Sequence, residues 1–407
     1  MLTYKYTARD PATGKKMAAE VQAANEQAAA KLVRDQGLSP IEITPLVSGG
    51  GNPFSRFRNR VRTKDKVLFS RQLATLTNAG LPLLQSLRTV AGQSQNRAFK
   101  VVILGVITDV EAGSALSVAM AKYPKVFNKI YVSLIAAGEI SGTLDKSLER
   151  LADQQEKDAE LISKVRGAMV YPIVVLLVMG AVVTFMMVKV IPQVEQLYQG
   201  LGGGVQLPLI TRVLIFISKA MTKYWWVMLL AAVIGGFFVT RWARTLGGKH
   251  VIDKVKMKTP PLGKLFMKMY MARFARTGAT LVGSGVPLLK VLEITSDAIN
   301  NVHIEASLHR AIEKVKGGKA LSDSLAGDPN FLPLVPDMLH IGEQSGAIEQ
   351  MMEKTADYYE KEVDNEVKAI STIIEPVLMV VLGIFAFIIV AAILLPVYSL
   401  AGKGINL

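Results

Sequence analysis

Residues 69–96 read FSRQLATLTNAGLPLLQSLRTVAGQSQN, and residues 274–301 read FARTGATLVGSGVPLLKVLEITSDAINN. At an offset of 205, Phe69 meets Phe274, Gly80 meets Gly285, Pro82 meets Pro287, and Leu83–Leu84 meets Leu288–Leu289. Further along the offset is 204. There Gly138–Glu139 meets Gly342–Glu343, Ser141–Gly142 meets Ser345–Gly346, Pro172 meets Pro376 and Pro192 meets Pro396. So long a period is not a solenoid but a duplicated domain. Each copy is a polar helical region followed by a membrane-length apolar helix. The expected fold is an all-α membrane protein with two homologous cytoplasmic helical-bundle domains, three transmembrane helices and a small α+β N-terminal module.

The mechanics of the repeat rest on its glycines and prolines. Val67, Leu68, Leu73, Leu76 and Ala79 recur at helical steps, and Gly80 stops that helix. Pro82 then stands where the next helix begins, a place that needs no backbone N–H. Gly285 and Pro287 repeat the device. Gly113, Pro124 and Gly138 punctuate the later helices of the first copy. From Leu144, the residues Leu148, Leu151, Ala152, Gln155, Ala159, Ile162 and Val165 trace one apolar stripe, and nothing breaks that helix before Pro172.

Three spans emerge. Pro172 to Pro192 and Pro376 to Pro396 each enclose about 20 residues, roughly 30 Å of helix, which matches the hydrocarbon thickness. These prolines, with Glu375, mark where the chain enters and leaves the bilayer. Val377–Leu395 carries no charge, and Tyr171–Ile191 carries only Lys189, near one end. Tyr224–Thr240 is shorter, with Lys223, Trp225 and Trp226 at its start and Arg241–Trp242 at its end as interfacial anchors. Pro208–Ile217 is apolar apart from Arg212 and reads as an interfacial approach or an early extension of the middle helix, not a fourth span.

The full division has an N-terminal module at 1–46, a flexible basic linker at 47–62 and the first helical domain at 63–169. The first span is 170–191, the outer segment 192–222 and the second span 223–241. The second helical domain is 242–372, the last span 376–398 and the outer tail 399–407. In the module, YKYTARD, KMAAEVQA and PIEIT read as strands, with a Pro-Ala-Thr-Gly turn after the first. Between the last two, Asn25 is placed to cap a helix that ends at Gly37. The start, MLTYKYTARD, is charged and lacks the apolar core of a signal peptide. A cytoplasmic N-terminus, both bundles inside and the C-terminus outside follow from three spans.

Composition narrows the chemistry. Half of the 407 residues are hydrophobic, with a mean hydropathy of +0.32, and no cysteine is present, so disulfides and thiolate chemistry are excluded. The net charge of +14 gathers beside apolar spans, as at Arg241, Arg244, Lys249, Lys254, Lys256 and Lys258. That is the positive-inside pattern with attraction to anionic membrane lipid, and it argues against nucleic acid as a partner.

His250, His303, His309 and His340 match no metal-ligand spacing, and the chain has no Walker A run. Gly283–Ser284–Gly285 lies in a helical repeat, without the strand–turn–helix setting of a nucleophile elbow. The Gly200–Gly204 run reads as an outer loop. No enzyme and no cofactor are expected. Glu139 and Glu343 have two readings: each caps the following helix, or each faces a partner protein or helps hold a divalent cation. The spacing does not decide between them. Gly138, Gly142, Gly342 and Gly346 read as turns around these acids. Glu375, opposite Tyr171 in the first copy, is either a functional acid or a hydrated one.

The duplicated F-x-R-x-x-x-T-L-x-x-x-G-x-P-L-L core, the Gly-Glu-x-Ser-Gly segments and the Tyr-Pro and Glu-Pro boundaries resemble the type II secretion F family over about residues 1–400. That family includes inner-membrane platform proteins of type IV pilus assembly. The resemblance implies a non-enzymatic, usually oligomeric scaffold in the bacterial inner membrane. It couples a hexameric assembly ATPase to the extraction and polymerisation of pilin or pseudopilin subunits, alongside other inner-membrane assembly proteins. On this reading Arg71 and Arg273 are candidate contacts for the ATPase, as are Glu139 and Glu343 for a partner. Pilus assembly is favoured over type II secretion or DNA uptake. A small-solute transporter is a remote alternative, because transporter sites use polar groups in broken helices at the midplane.

Overall fold

The computed structural model describes residues 2–9, 16–23, 26–35, 37–45, 61–200, 209–260 and 262–403. The expected Pro-Ala-Thr-Gly turn, Asn25, residue 46, residues 47–60 of the linker, residues 201–208 of the outer loop and residues 404–407 lie outside them. The chain divides into two compact units, Met1–Val126 and Phe127–Leu407. This division falls inside the first repeat.

The first unit opens with β1 (Leu2–Arg9), β2 (Lys16–Ala23), α1 (Glu26–Asp35) and β3 (Ser39–Pro45). The strands form an antiparallel sheet in the order β2-β1-β3, with a register shift at Thr7/Ala8 against β3. Alternation along β1 turns Tyr6 and Ala8 inward against Val33 of α1. Gly37, at φ +77°, ends α1 in the left-handed conformation that costs glycine little.

Four helices complete the unit: α2 (Thr63–Asn78), α3 (Leu83–Gln93), α4 (Arg97–Glu111) and α5 (Leu116–Ala121). The buried stripe of α2 is Phe69, Ser70, Leu73 and Ala74, whereas Leu68 is 58% exposed and Ala79 is also exposed. The expected stripe is therefore rotated. Phe69, the largest apolar side chain of the helix, sets the inward face by packing edge-on against Phe99 of α4 at 5.3 Å. Gly80 has φ +82°, and Leu81 N–H reaches back to the Leu76 carbonyl at 3.1 Å. In the second copy Gly285 has φ +77° and Val286 N–H meets the Leu281 carbonyl at the same distance. Pro82 and Pro287 sit one position before the first helical residue and offer their carbonyls to Ser86 and Val291.

In the second unit, α6 (Lys129–Ser141) leads into α7 (Leu144–Phe185), a π-helical turn (Met186–Val190) and α8 (Ile191–Gly200). Next come α9 (Leu209–Lys223), α10 (Trp225–Trp242) and α11 (Leu246–Lys258). The second bundle holds α12 (Leu262–Gly283), α13 (Leu288–Ile299), α14 (Val302–Lys316), α15 (Leu321–Leu325) and α16 (Leu334–Ser345). It ends in α17, which runs unbroken from Ile348 to Lys403. The helices α6 and α7 of the first repeat pack on α12, α13 and α17 of the second, which explains why the compact units ignore the repeat boundary.

The helices containing α7, α10 and α17 are long and apolar enough to cross a membrane. Pro172, Pro376 and Pro396 lie within helices and interrupt none of them, and Pro192 is the second residue of α8. A proline in a membrane helix is tolerated because local adjustment re-satisfies the freed carbonyl. The outer segment is largely helical. Its α9 is separate from α10, parted at Tyr224, and buries Thr211, Leu214, Ile215 and Ser218. Ser218 Oγ donates to the Met187 carbonyl in the π turn, where the helical ladder is disturbed.

Gly138 and Gly342 are not turns either. Each lies inside its helix, α6 or α16, one turn before the end. A Cβ on Gly342 would stand 3.0 Å from Ile348 Cα, and one on Gly138 would stand 2.5 Å from Ser147 Oγ. Their bareness lets the last turn of one helix lie against the first turn of the next. Gly142 and Gly346, at φ +68° and +69°, then reverse the chain. The Gly-Glu-x-Ser-Gly segment is thus the corner that aims each long helix. Gly342→Val should destabilise the protein by about 1–3 kcal/mol through overpacking against backbone. Gly247→Ala, at a helical glycine with open space around it, should be neutral or slightly stabilising. Thermal unfolding of the detergent-solubilised full chain checks both.

Candidate functional site

Three helices meet where the polar half of the second unit gives way to its apolar half. α7, α12 and α17 pack on one another, and the largest interface of α12 is with α17. Glycine makes the approach close: a Cβ on Gly278 would stand 2.0 Å from Met352 Cε, and one on Gly283 would meet the Arg150–Glu349 pair.

Polar side chains cross this seam at successive turns. Arg150 of α7 donates to Glu349 of α17 at 2.9 Å. Gln154 stands next, accepting from Thr280 at 3.0 Å and donating to Thr277 at 3.5 Å. Arg276 of α12 donates to Glu360 at 2.8 Å and to Asp357 at 2.5 Å. Nearer the apolar end, Lys268 reaches Glu362 and Glu366 at 2.7 Å each, and Lys164 reaches Asp364 at the same distance. Arg276 and Glu360 are only 13% and 12% exposed, so water screens them poorly.

The electrostatics reflect this enclosure. Burial alone would lower the proton affinity of Arg276 and Lys268, but their hydrogen-bonded carboxylates outweigh it and hold both further into the charged form. Asp158 goes the other way. Burial pushes its carboxyl above the usual range, and Arg273, 3.7 Å away, only partly opposes this.

The residues expected to form a site are dispersed over the molecule. Arg273 faces Asp158 within the seam. The residue that matches Arg71 at the offset of 205 is Arg276, not Arg273. Glu343 lies inside α16, where its carboxylate accepts from Leu321 N–H at 2.6 Å, Ser322 N–H at 3.2 Å and the Ser322 hydroxyl. It therefore caps α15, an earlier helix, and not the one that comes after it. Negative charge suits that N-terminus. Glu139 holds the corresponding place in α6, half-buried. Among the described residues no cluster of three or more His, Asp or Glu is arranged to hold a metal ion. Glu375 is exposed in the interior of α17. The rings of His250 and His303 meet at 4.5 Å, tilted by 59°, between α11 and α14.

Sequence reasoning missed Arg276, Lys268, Gln154 and their partners. Two signals point to them: strict use of the F-x-R motif in the second copy, and charges seven residues apart at Lys157 and Lys164 and at Asp357 and Asp364.

The two copies read from the sequence coincide with the repeated domain of a known protein class. The family described as "Type II secretion system (T2SS), protein F" matches residues 69–192 and 274–396, and its N-terminal domain matches residues 1–44. The chain belongs to this family. Type IV pilus assembly protein PilC of Thermus thermophilus is 40% identical over 413 residues, covering 99% of both chains. The PilC protein of Myxococcus xanthus is 35% identical, covering 96% of this chain and 93% of the relative. Type II secretion system protein F of Pseudomonas aeruginosa is 33% identical, covering 98% and 99%. As a member of this family with three apolar helices of spanning length, the chain is a multi-pass membrane protein.

Two expectations test the electrostatics. Arg276→Met should destabilise this family member by about 2 kcal/mol, because Glu360 and Asp357 lose a shared, shielded partner. Arg88→Met, from the exposed Arg88–Glu111 pair, should cost less than about 1 kcal/mol. The second concerns Asp328, which accepts from Ser307, Arg310 and Asn330 N–H. Burial would raise its carboxyl, but these donors more than offset that and hold it below its ordinary value of 3.8. Its contribution to stability is present above that value and is lost as pH falls through the lower folded-state value. Unfolding followed from pH 6 to about pH 2 should show a steeper acid loss in the wild type than in Asp328→Asn.

Proposed function

We propose that this chain is the inner-membrane platform of a type IV pilus assembly machine, coupling a cytoplasmic assembly ATPase to pilin extraction and polymerisation. The observation that carries the reading is continuity. In each repeat one helix runs from the polar bundle into an apolar span, and the seam of ion pairs ties α7 and α17 to α12. A rod held in this way carries rotation or tilt of the bundle to its apolar end. The role is mechanical and requires no catalytic group.

Both bundles and the N-terminus face the cytoplasm in this reading, with residues 192–222 and the tail outside. The basic residues Arg241, Arg244, Lys249 and Lys254, at and beyond the end of α10, support that orientation. The bundles dock on a hexameric ATPase, with Arg71 among the contacts, while Arg273 serves the seam. The apolar helices guide pilin beside other inner-membrane assembly proteins. α10 buries none of its residues within one chain, so lipid or a second copy of the expected homo-oligomer covers it. The relatives named PilC, at 40% and 35% identity, favour the pilus. The type II secretion relative, at 33%, supports a second reading, the equivalent platform of a secretion or DNA-uptake pseudopilus.

Cysteines placed singly at Ala79 and Ser284, beside the two repeat turns, provide the test in this cysteine-free chain. Cross-linking in native membranes should capture an assembly ATPase from these sites, and mass spectrometry of captured pilin-like proteins should name the system. Labelling of both sites from outside the cell, with no ATPase captured, would overturn the orientation and the role together.

A further inference from the structure

α11 (Leu246–Lys258) is held at the level of the bilayer at both of its ends. It follows Trp242, the interfacial residue that ends the α10 span, after a short turn. Thr245 fixes that turn, accepting from Gly248 N–H at 3.1 Å and donating to the Trp242 carbonyl at 2.7 Å. A Cβ on Gly248 would stand 1.9 Å from the same carbonyl oxygen, so the first turn of α11 lies against the end of the span. At the other end α12 begins at Leu262, which shares an apolar cleft with Met169 of α7 and Ile370 of α17. Met169 opens the exposed apolar run of α7, and Ile370 stands one turn before that of α17. A straight helix with both ends at one level runs along that level, and 13 residues give α11 about 20 Å of it.

One side of α11 belongs to the bundle. His250, Asp253 and Met257, spaced at helical steps, all meet the start of α14. The His250 ring contacts that of His303, Asp253 accepts from Val302 N–H at 3.2 Å, and the Met257 sulfur accepts from Asn301 at 3.4 Å. α12 runs from Leu262 away from the apolar spans to Gly283, beside the Arg150–Glu349 pair, and α13 and α14 follow from there. The bundle therefore stands on the side of α11 that faces away from the bilayer.

At about 100° per residue, the opposite side of α11 presents Val251 and Val255, 48% and 55% exposed. Lys254 and Lys258 border this ridge on one side, and Lys249 and Lys256 border it on the other, all four exposed. Among the described residues only Lys256 meets an acid, Asp253 at 3.5 Å. Asp253 is the sole acid of α11 and is spent on the bundle side, and the neighbouring α12 contains no acid at all. Nothing in these two helices offsets the positive charge of the exposed face.

We propose that α11 is an interfacial helix, seated flat on the leaflet beneath the bundles and bound to anionic lipid headgroups. Val251 and Val255 dip into the boundary between headgroups and acyl chains, and the lysines on both shoulders reach phosphates while their stems cover apolar surface. The helix then fixes the height of the second bundle above the bilayer, between the end of one span and the start of the α12 seam.

The test uses single cysteines in the cysteine-free full chain, reconstituted in vesicles of equal phosphatidylglycerol and phosphatidylcholine. Iodoacetamide should alkylate Val251→Cys and Val255→Cys at least about tenfold more slowly than Glu313→Cys, on an exposed face of α14. A fluorophore on the two former sites should be quenched by lipid that carries a nitroxide near its headgroup. At about fivefold per cation near an anionic surface, Lys254→Ala/Lys258→Ala should speed alkylation of Val255→Cys at least about tenfold. Vesicles of phosphatidylcholine alone should speed it as well. Alkylation as fast as at Glu313→Cys would overturn the proposal. So would protection without nitroxide quenching, which would mean that a protein covers the face, or protection that ignores both the lysines and the lipid charge. The double variant changes only exposed side chains, and no readout involves an ATPase or a pilin, so the inference stands or falls apart from the platform reading.

Discussion

A helix that leaves a polar bundle and continues into lipid keeps its own backbone hydrogen-bonded, but its side chains must change company abruptly along a single axis. α7 and α17 both do this, and the rest of the second unit is arranged around holding them side by side as they do so. The seam uses charge where it is half-buried and apolar packing elsewhere. A half-buried charge left unpaired in the seam would cost several kcal/mol, and Lys164, Lys268 and Arg276 each meet an opposite partner there. Arg276 illustrates the economy of the arrangement: one guanidinium serves Asp357 and Glu360 on adjacent turns of α17. With planar, branched donors the geometry is specific as well as attractive, which discourages the helices from sliding by a turn.

Much of the fold is legible in the sequence because duplication repeats its mechanical signals. Gly80 and Gly285 need a left-handed backbone, and the prolines after them permit a helix start, so both corners read correctly from residue type alone. The apolar spans likewise follow from length and the absence of charge. Pro172 and Pro376, the expected points of entry to the membrane, each sit inside an unbroken helix. In water proline is a strong helix breaker, but in a membrane-spanning helix the cost of ending the hydrogen-bond ladder exceeds the cost of losing one bond. The inward face of α2 was also out of reach, because it depends on Phe99 meeting Phe69 from another helix.

The candidate site was legible only in part. Glu343 stands out by its repetition in a glycine-flanked segment, yet its partners are Leu321 and Ser322, some twenty residues earlier. Local reading points it at the next helix, while tertiary structure points it back. Gly138 and Gly342 show the same limit. A glycine in the last turn of a helix looks like a terminator, but here the missing Cβ makes room for a neighbour, and the left-handed turn falls four residues later. Arg273 and Arg276 are separated by three positions, and only strict alignment of the two copies distinguishes the motif residue from its neighbour.

The two copies have also diverged in what their long helices meet. Tyr171 and Pro172 of α7 stand where α17 has Glu375 and Pro376, and only α7 passes into a π turn before its proline-containing end segment. A π turn disturbs the regular ladder, and Ser218 of α9 supplies a donor to Met187 at that point. One long helix is thus pinned near its far end by an extra helix that the other repeat lacks, because the α9–α11 segment lies between the copies in the chain. Tilting the bundles moves two rods with unequal attachments. Equal rods would move their apolar ends together, whereas unequal ones move them relative to each other, which is the displacement that the proposed platform role calls for.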